Sequence, residues 1–345
     1  VDLVKAQELW QPEPGWLNTA SYGLPPEPAW TALQSALADW QVGRTSWEGW
    51  DESTVRSRAA FAGLVGVPVA DVTVGATVSQ LLAPIGAALP SGSTVVVPEV
   101  EFTSNLFPWQ VHAERGVRVR TVPLDRLADE IDADTDLVAF SLVQSADGTI
   151  ARYDDVLAAA EAHDVLVVVD ATQGCGWLPF DASRADVVAV GAYKWLMAPR
   201  GAAFGYLSPR IRDRITPLAA NWYAGEDPHA SYYGPPLRLA GDARRFDLSP
   251  AWFCFVGAAP ALELLAEIGL PAIREHNVGL ANRFLTGLGR PPSNSAIVTV
   301  DVPGAAEKLA SAGVRAAVRA GRVRASFHLY STEYDVDLAL AALLD

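Results

Sequence analysis

The chain has 345 residues, a formal net charge of −14 and a pI of about 4.8, and half of its residues are hydrophobic. That charge argues against nucleic acid or an anionic membrane as a main partner. Two cysteines, Cys175 and Cys254, make no disulfide framework. The five scattered histidines (His112, His163, His229, His276 and His328) do not suggest a metal site. No apolar run reaches the length of a membrane span, and the opening VDLVKAQELWQPEPG lacks the apolar core of a signal peptide; the cysteine usage makes a reducing cytoplasm the expected location.

In chain order, residues 26–40 and 51–64 read as amphipathic helices. A βα alternation starts near residue 71. VTV (72–74) predicts a short strand, GAT (75–77) a small-residue turn, and an apolar helix follows to Leu89. STVVVP (93–98), VRVRTVP (117–123) and LVAFSLV (137–143) predict further strands. A helix over 154–163 leads to the strand VLVVVD (165–170), and ADVVAVG (185–191) and AAFGYL (202–207) close the series. Apolar strands separated by helices predict an α/β fold with a mostly parallel, seven-stranded sheet covered on both faces. NWYAGEDPHASYYGPP (221–236) reads as an aromatic surface loop, whose Trp222 and Tyr223 suit either a pocket wall or a subunit interface. Then come a long helical pattern from about Pro250 to Leu288, interrupted near Pro271, IVTVDVP (297–303), a helix over 304–312, the arginine-rich VRAAVRAGRVRASFHL, and a helix from about Glu333. The expected division is a large domain over residues 20–248 and a small α+β domain from residues 1–19 and 249–345.

The chemistry starts from lysine. Only three occur: Lys5, Lys194 and Lys308. Lys194 lies in VGAYKWLMAPRG, just after an apolar strand. Burial favours the neutral amine, which is a nucleophile able to form a Schiff base. The bland alternative is a packed stem with its head in water. Asp170 ends a parallel strand, where open α/β sheets bind ligands, although an aspartate there can also serve as a helix cap. The 24 residues between Asp170 and Lys194 suffice for a turn, an excursion and one more strand. A carboxylate and an amine on one rim suit pyridoxal phosphate. Gly75, Ala76 and Thr77, at a helix start, suit its phosphate. The dinucleotide fingerprint and the P-loop are absent, which disfavours a nicotinamide-dependent oxidoreductase.

From WLNTASYG (16–23) through DATQ, YKW and PRG to RASFHLYST (324–332), the chain resembles the class V aminotransferase superfamily, fold-type I enzymes that use pyridoxal phosphate. LNTAS and YKW resemble its C–S lyase and isopenicillin N epimerase-like branches more than its cysteine desulfurases. The resemblance implies that Lys194 carries the cofactor as a Schiff base and that Asp170 pairs with the pyridinium. It implies that Gln173 donates to the phenolic oxygen and that Ala76 and Thr77 hold the phosphate. Phe102 and Tyr193 stand where relatives carry histidines: Phe102 can stack on the ring but takes no proton, and the Tyr193 hydroxyl can reach phosphate. Gln144 or Ser145 faces the cofactor. Ser249, in RFDLSP, lends a hydroxyl to the phosphate of a neighbouring subunit, implying a homodimer with shared active sites. Arg324 binds the substrate carboxylate, with Arg319 and Arg322 as nearby competitors for that role, while Asn18, Ala20 and Ser21 line the pocket. Trp195 reads as core packing.

The implied reaction takes a proton from Cα of a small amino acid, with Lys194 as base. Elimination from Cβ, as in a C–S lyase acting on a cysteine conjugate, is favoured by the resemblance. Transamination with a keto acid and epimerisation remain open, whereas the intact set of Lys194, Asp170 and Arg324 argues against a cofactor-binding protein without turnover. Cysteine desulfuration is disfavoured because the segment before Arg324 has no cysteine.

Overall fold

A computed structural model describes residues 3–344. Val1, Asp2 and Asp345, which the small-domain expectation also covers, lie outside the described residues. The βα alternation forms a seven-stranded sheet from β1 (Val72–Gly75), β2 (Thr94–Pro98), β3 (Arg118–Val122), β4 (Leu137–Ser141), β5 (Leu166–Asp170), β6 (Val187–Gly191) and β7 (Ala203–Leu207). Their order is β1-β7-β6-β5-β4-β2-β3. Only β7 runs antiparallel to its neighbours. Every residue of β2, β4, β6 and β7 is buried, which is why these strands read as unbroken apolar runs rather than as alternation. The edge strand β3 keeps two arginines and is largely solvated.

Because β2, β4, β5 and β6 are parallel, their carboxyl ends bring Pro98, Ser141, Asp170 and Gly191 to one edge. The strand order reverses between β2 and β4, the kind of crevice in which α/β sheets bind ligands. Helix Trp47–Val65 packs on the sheet through Phe61, whose ring stacks on Phe204 at 4.9 Å. Helix Trp252–Ile268 packs on that helix and on Glu27–Gln41. The long helical pattern breaks at Gly269 (φ +87°), and the following helix, Leu270–Gly287, is bent by 88°. Pro271 sits in the first turn of that helix, where its missing N–H breaks no bond. Among the described residues, no single helix is long and apolar enough to cross a membrane.

A second, antiparallel sheet has the order β8-β10-β9, from β8 (Ile297–Val300), β9 (Ala317–Arg319) and β10 (Arg322–Ser326). Phe284, Phe327, Val323 and Val336 share its core. The N-terminal segment joins this unit through bridges from Trp16 to Arg315 and from Asn18 to Ser326. We propose on these contacts that residues 1–19 belong with 249–345 and that 20–248 is the large domain, with helix Trp252–Ile268 as the link between them.

Candidate active site

Asp170 is buried at the end of β5, and its Oδ1 accepts a hydrogen bond from the Thr172 amide at 2.9 Å. The Thr172 hydroxyl accepts in turn from the amide of Gly191, the last residue of β6, at 3.0 Å. The turn after β5 is thereby tied to the strand that leads into Lys194. Lys194 is only 8% exposed, and its Nζ lies 5.6 Å from the Phe102 ring centroid and 5.5 Å from that of Tyr193. Burial drives the amine down to about 8, against the pull of Asp170, and the charges of Arg324, Arg319 and Arg200 push the same way as burial. Burial likewise raises Asp170, against the Thr172 bonds and the attraction of Lys194.

The N-terminal segment closes one side. The Gly23 amide donates to the Tyr193 carbonyl at 3.0 Å. A Cβ on Gly23 would fall 1.9 Å from the Lys194 carbonyl oxygen, so only glycine passes there. Ser21 Oγ accepts from Arg324 Nη2 at 3.0 Å, and Arg324 Nη1 donates to the Ser145 carbonyl. Arg324 is 1% exposed, its Nε has no partner, and burial, helped by Arg319, pushes it down to about 10. Asn18 is half-buried, with its Oδ1 unpartnered. Gln173 Nε2 donates to the Ala20 carbonyl at 3.0 Å while its Oε1 accepts from the Trp195 indole at 2.8 Å. Trp195 thus packs in the core and also orients Gln173.

Sequence reasoning missed Glu101. It is buried directly before Phe102, and its carboxylate accepts from the Ser141 amide (2.7 Å), the Ser141 hydroxyl and Gln144 Nε2 (3.3 Å). Burial, with Asp170 adding to it, pushes this carboxyl up to about 7 despite those bonds. In EVEFTSN nothing separates Glu101 from the exposed Glu99. The available signal was its place directly before the ring-stacking position, after a strand end. Of the pair Gln144 and Ser145, Gln144 turns its side chain inward, with Oε1 unpartnered, whereas Ser145 meets Arg324 through its backbone.

At the start of helix Val78–Ala88, Thr77 Oγ1 caps the Gln80 amide at 3.2 Å, and the Ala76 amide donates to Gln80 Oε1 at 3.1 Å. Ser249 is exposed. It follows Asp247, which is anchored by Arg58 (2.6 Å), Thr73 Oγ1 (2.9 Å) and the Val74 amide (2.8 Å). Trp222 packs edge-on against Trp47, and the Tyr223 hydroxyl donates to Asp51 at 2.6 Å, which places both against helix Trp47–Val65. Cys175 is buried, its thiol pushed up to about 12, and Cys254 donates to the Arg200 carbonyl at 3.2 Å.

The sequence profile of the family described as aminotransferase class-V matches residues 52–308. An uncharacterized aminotransferase, YcbU, of Bacillus subtilis is 29% identical over 260 residues, spanning 72% of this chain and 69% of that protein. A probable cysteine desulfurase of Methanothermobacter thermautotrophicus is 26% identical over 306 residues, spanning 73% of each. The structure of the cystine C–S lyase C-DES with its product cysteine persulfide superposes with a TM-score of 0.86 at 21% identity, covering 96% of this chain and 98% of that one. That last likeness is one of fold.

Proposed function

The chain belongs to the aminotransferase class-V family of pyridoxal-phosphate-dependent enzymes, and from that premise we propose that it acts at the α-carbon of a small amino acid through a Schiff base on Lys194, ending in β-elimination from a cysteine conjugate. The observation that carries this reading is the Lys194 amine, buried between two aromatic rings and lowered toward neutrality beside a buried carboxylate. Such an amine is a nucleophile near physiological pH.

The residues present fit pyridoxal phosphate. Asp170 is a buried carboxylate whose charge gains from a cationic partner such as a protonated ring nitrogen. Gln173 Nε2 retains one N–H beyond its bond to Ala20, which suits the phenolic oxygen. The Ala76 amide and Thr77 hydroxyl, at a helix start, suit phosphate, and the amide faces an oxygen acceptor already in Gln80. Phe102 offers a ring face, and Tyr193 and Gln144 offer polar groups at the rim. Exposed Ser249 suits the phosphate of a second copy, and on that ground a homodimer with shared sites is proposed. When bound, pyridoxal phosphate supplies an electron sink for charge at Cα.

Arg324 holds the substrate carboxylate with its planar fork, and Asn18 and Ser21 lie beside it. Lys194 removes the Cα proton. Phe102 takes no proton, so Lys194 moves this one without help from the ring-stacking position. A thiolate leaves with little help, because thiols ionise near neutrality, at about 8.5. Elimination therefore needs one base, whereas epimerisation needs a second proton carrier on the other side of Cα. Neither cysteine suits a desulfurase nucleophile: one is buried with a raised thiol, the other is bonded to a backbone carbonyl. A cytoplasmic location is proposed on the cysteine usage.

The test is to load the protein with pyridoxal phosphate and supply cysteine S-conjugates. Pyruvate and ammonia formed without a keto acid support elimination. Amino transfer that requires a keto acid replaces elimination by transamination. A wild-type protein that stays colourless after loading ends the proposal.

A further inference from the structure

Arg324 accounts for one carboxylate, but two further guanidiniums share its face. In the β9–β10 ladder Arg322 lies opposite Arg319 and Arg324 opposite Ala317. Opposed residues of an antiparallel pair share a face, as do residues two apart along a strand. Arg319, Arg322 and Arg324 therefore form one row, while Val323 and Ala325 point into the apolar core on the other side. Ser326 continues the row inward, and its hydroxyl accepts from the Ala20 amide at 2.9 Å, in the segment that covers Lys194. At the outer end the row reaches the exposed turn at Ala320 and Gly321. It thus runs from the buried site to solvent.

Among the described residues no carboxylate neutralises this row. Arg324 bonds only the Ser145 carbonyl and the Ser21 hydroxyl, and Arg319 bonds only the Val318 carbonyl. Among the described residues none of the three is in an ion pair, although their neighbour Arg315 pairs with Glu13. In a chain with 40 acidic and 26 basic residues, an unmatched line of three guanidiniums is a local reversal of charge. Arg319 lies close enough to Lys194 and Arg324 for its charge to lower both. Successive arginines along β10 have Cα atoms about 7 Å apart, and opposed ones about 5 Å apart. That spacing, with two long side chains, matches an anion several bonds from an α-carboxylate.

We propose that Arg319 and Arg322 form a second anion subsite, so that the substrate is an amino acid whose side chain carries its own carboxylate or similar oxyanion. The inference rests on Arg324 holding the α-carboxylate. Arg319 and Arg322 then determine specificity without touching the reacting atoms. An anion at this place supplies the charge that the fold withholds, and electrostatic attraction along the row draws it toward Lys194.

The experiment uses the enzyme loaded with pyridoxal phosphate and follows the change in visible absorption on ligand binding. The probes are matched pairs of equal size: S-(carboxymethyl)cysteine with S-(carbamoylmethyl)cysteine, and glutamate with glutamine. The acid of at least one pair is expected to bind at least tenfold more tightly than its amide, with the advantage shrinking as salt is raised. The double variant Arg319→Gln/Arg322→Gln should lose that preference while binding the amide within twofold of wild type. Arg319→Lys/Arg322→Lys, which keeps the charge, should retain most of it. Equal binding of acid and amide by the wild type, equal weakening of both by the glutamine variant, or no binding of any probe overturns the inference. Because binding is read, the result does not depend on which bond later breaks. Arg324→Gln supplies the separate control: if it leaves all four probes bound as before, the assignment of the α-carboxylate fails on its own.

Discussion

Glu101 receives both the amide and the hydroxyl of Ser141, the residue that pairs with Asp170 across β4 and β5. A second buried carboxyl therefore holds the strand next to the one carrying Asp170, and its charge opposes that of Asp170. Its pKa is raised from 4.5 to about 7, so the folded state binds more protons than the unfolded one between those values. Its contribution is greatest below pH 4.5 and is lost as pH rises through 7. Glu101→Gln should remove that part of the pH dependence, on the order of 2–3 kcal/mol between pH 5 and 8. Urea unfolding of the cofactor-free protein at both pH values measures it. An unchanged difference between the two would mean that Glu101 does not titrate there.

Lys194 lies the other way. Its folded value of about 8 is below the ordinary 10.5, so the cost of burying the charge is fully present below pH 8 and is relieved as pH rises toward 10.5. Lys194→Met should therefore stabilise the cofactor-free protein at pH 7, by up to ~3 kcal/mol, while abolishing covalent cofactor attachment. Thermal unfolding and the visible spectrum report the two effects. A variant less stable than wild type at pH 7 would contradict the burial argument.

The buried pair Arg58–Asp247 ties the segment before Ser249 to β1. Asp247→Ala leaves a buried guanidinium without its partner and should cost about 3–5 kcal/mol. The double change Arg58→Met/Asp247→Leu should recover most of that loss, because no buried charge remains. Denaturant midpoints of the two proteins decide it.

Gly23→Ala places a methyl against the Lys194 carbonyl oxygen. The segment over the site must shift, which should cost about 1–3 kcal/mol. It should also weaken cofactor retention, measured by dialysis and absorbance. Gly43→Ala is a control for stability: unlike Gly23, Gly43 lies at positive φ (+72°) with open space around its Cβ, so its loss comes from backbone strain and cofactor retention should not change.

The sheet was legible because buried parallel strands leave unbroken apolar runs, and their carboxyl ends fall on one edge whatever the helices do. Lys194 and Asp170 stood out for the same reason: each is a charged residue where such a run ends. Glu101 did not, since it lies in a loop beside Glu99 and only folding buries one and exposes the other.

By itself the sequence determined which residues could supply an amine, a buried acid and a carboxylate fork, because residue type and strand period are local properties. The tertiary structure alone decided which arginine of three is buried and which two remain unneutralised beside it. It also decided that Gln144 rather than Ser145 turns its side chain inward, and that Gly23 must pass against Lys194. Those outcomes depend on register, on which strand lies opposite, and on the approach of a segment about 300 residues away along the chain from β10. No local pattern encodes such distances.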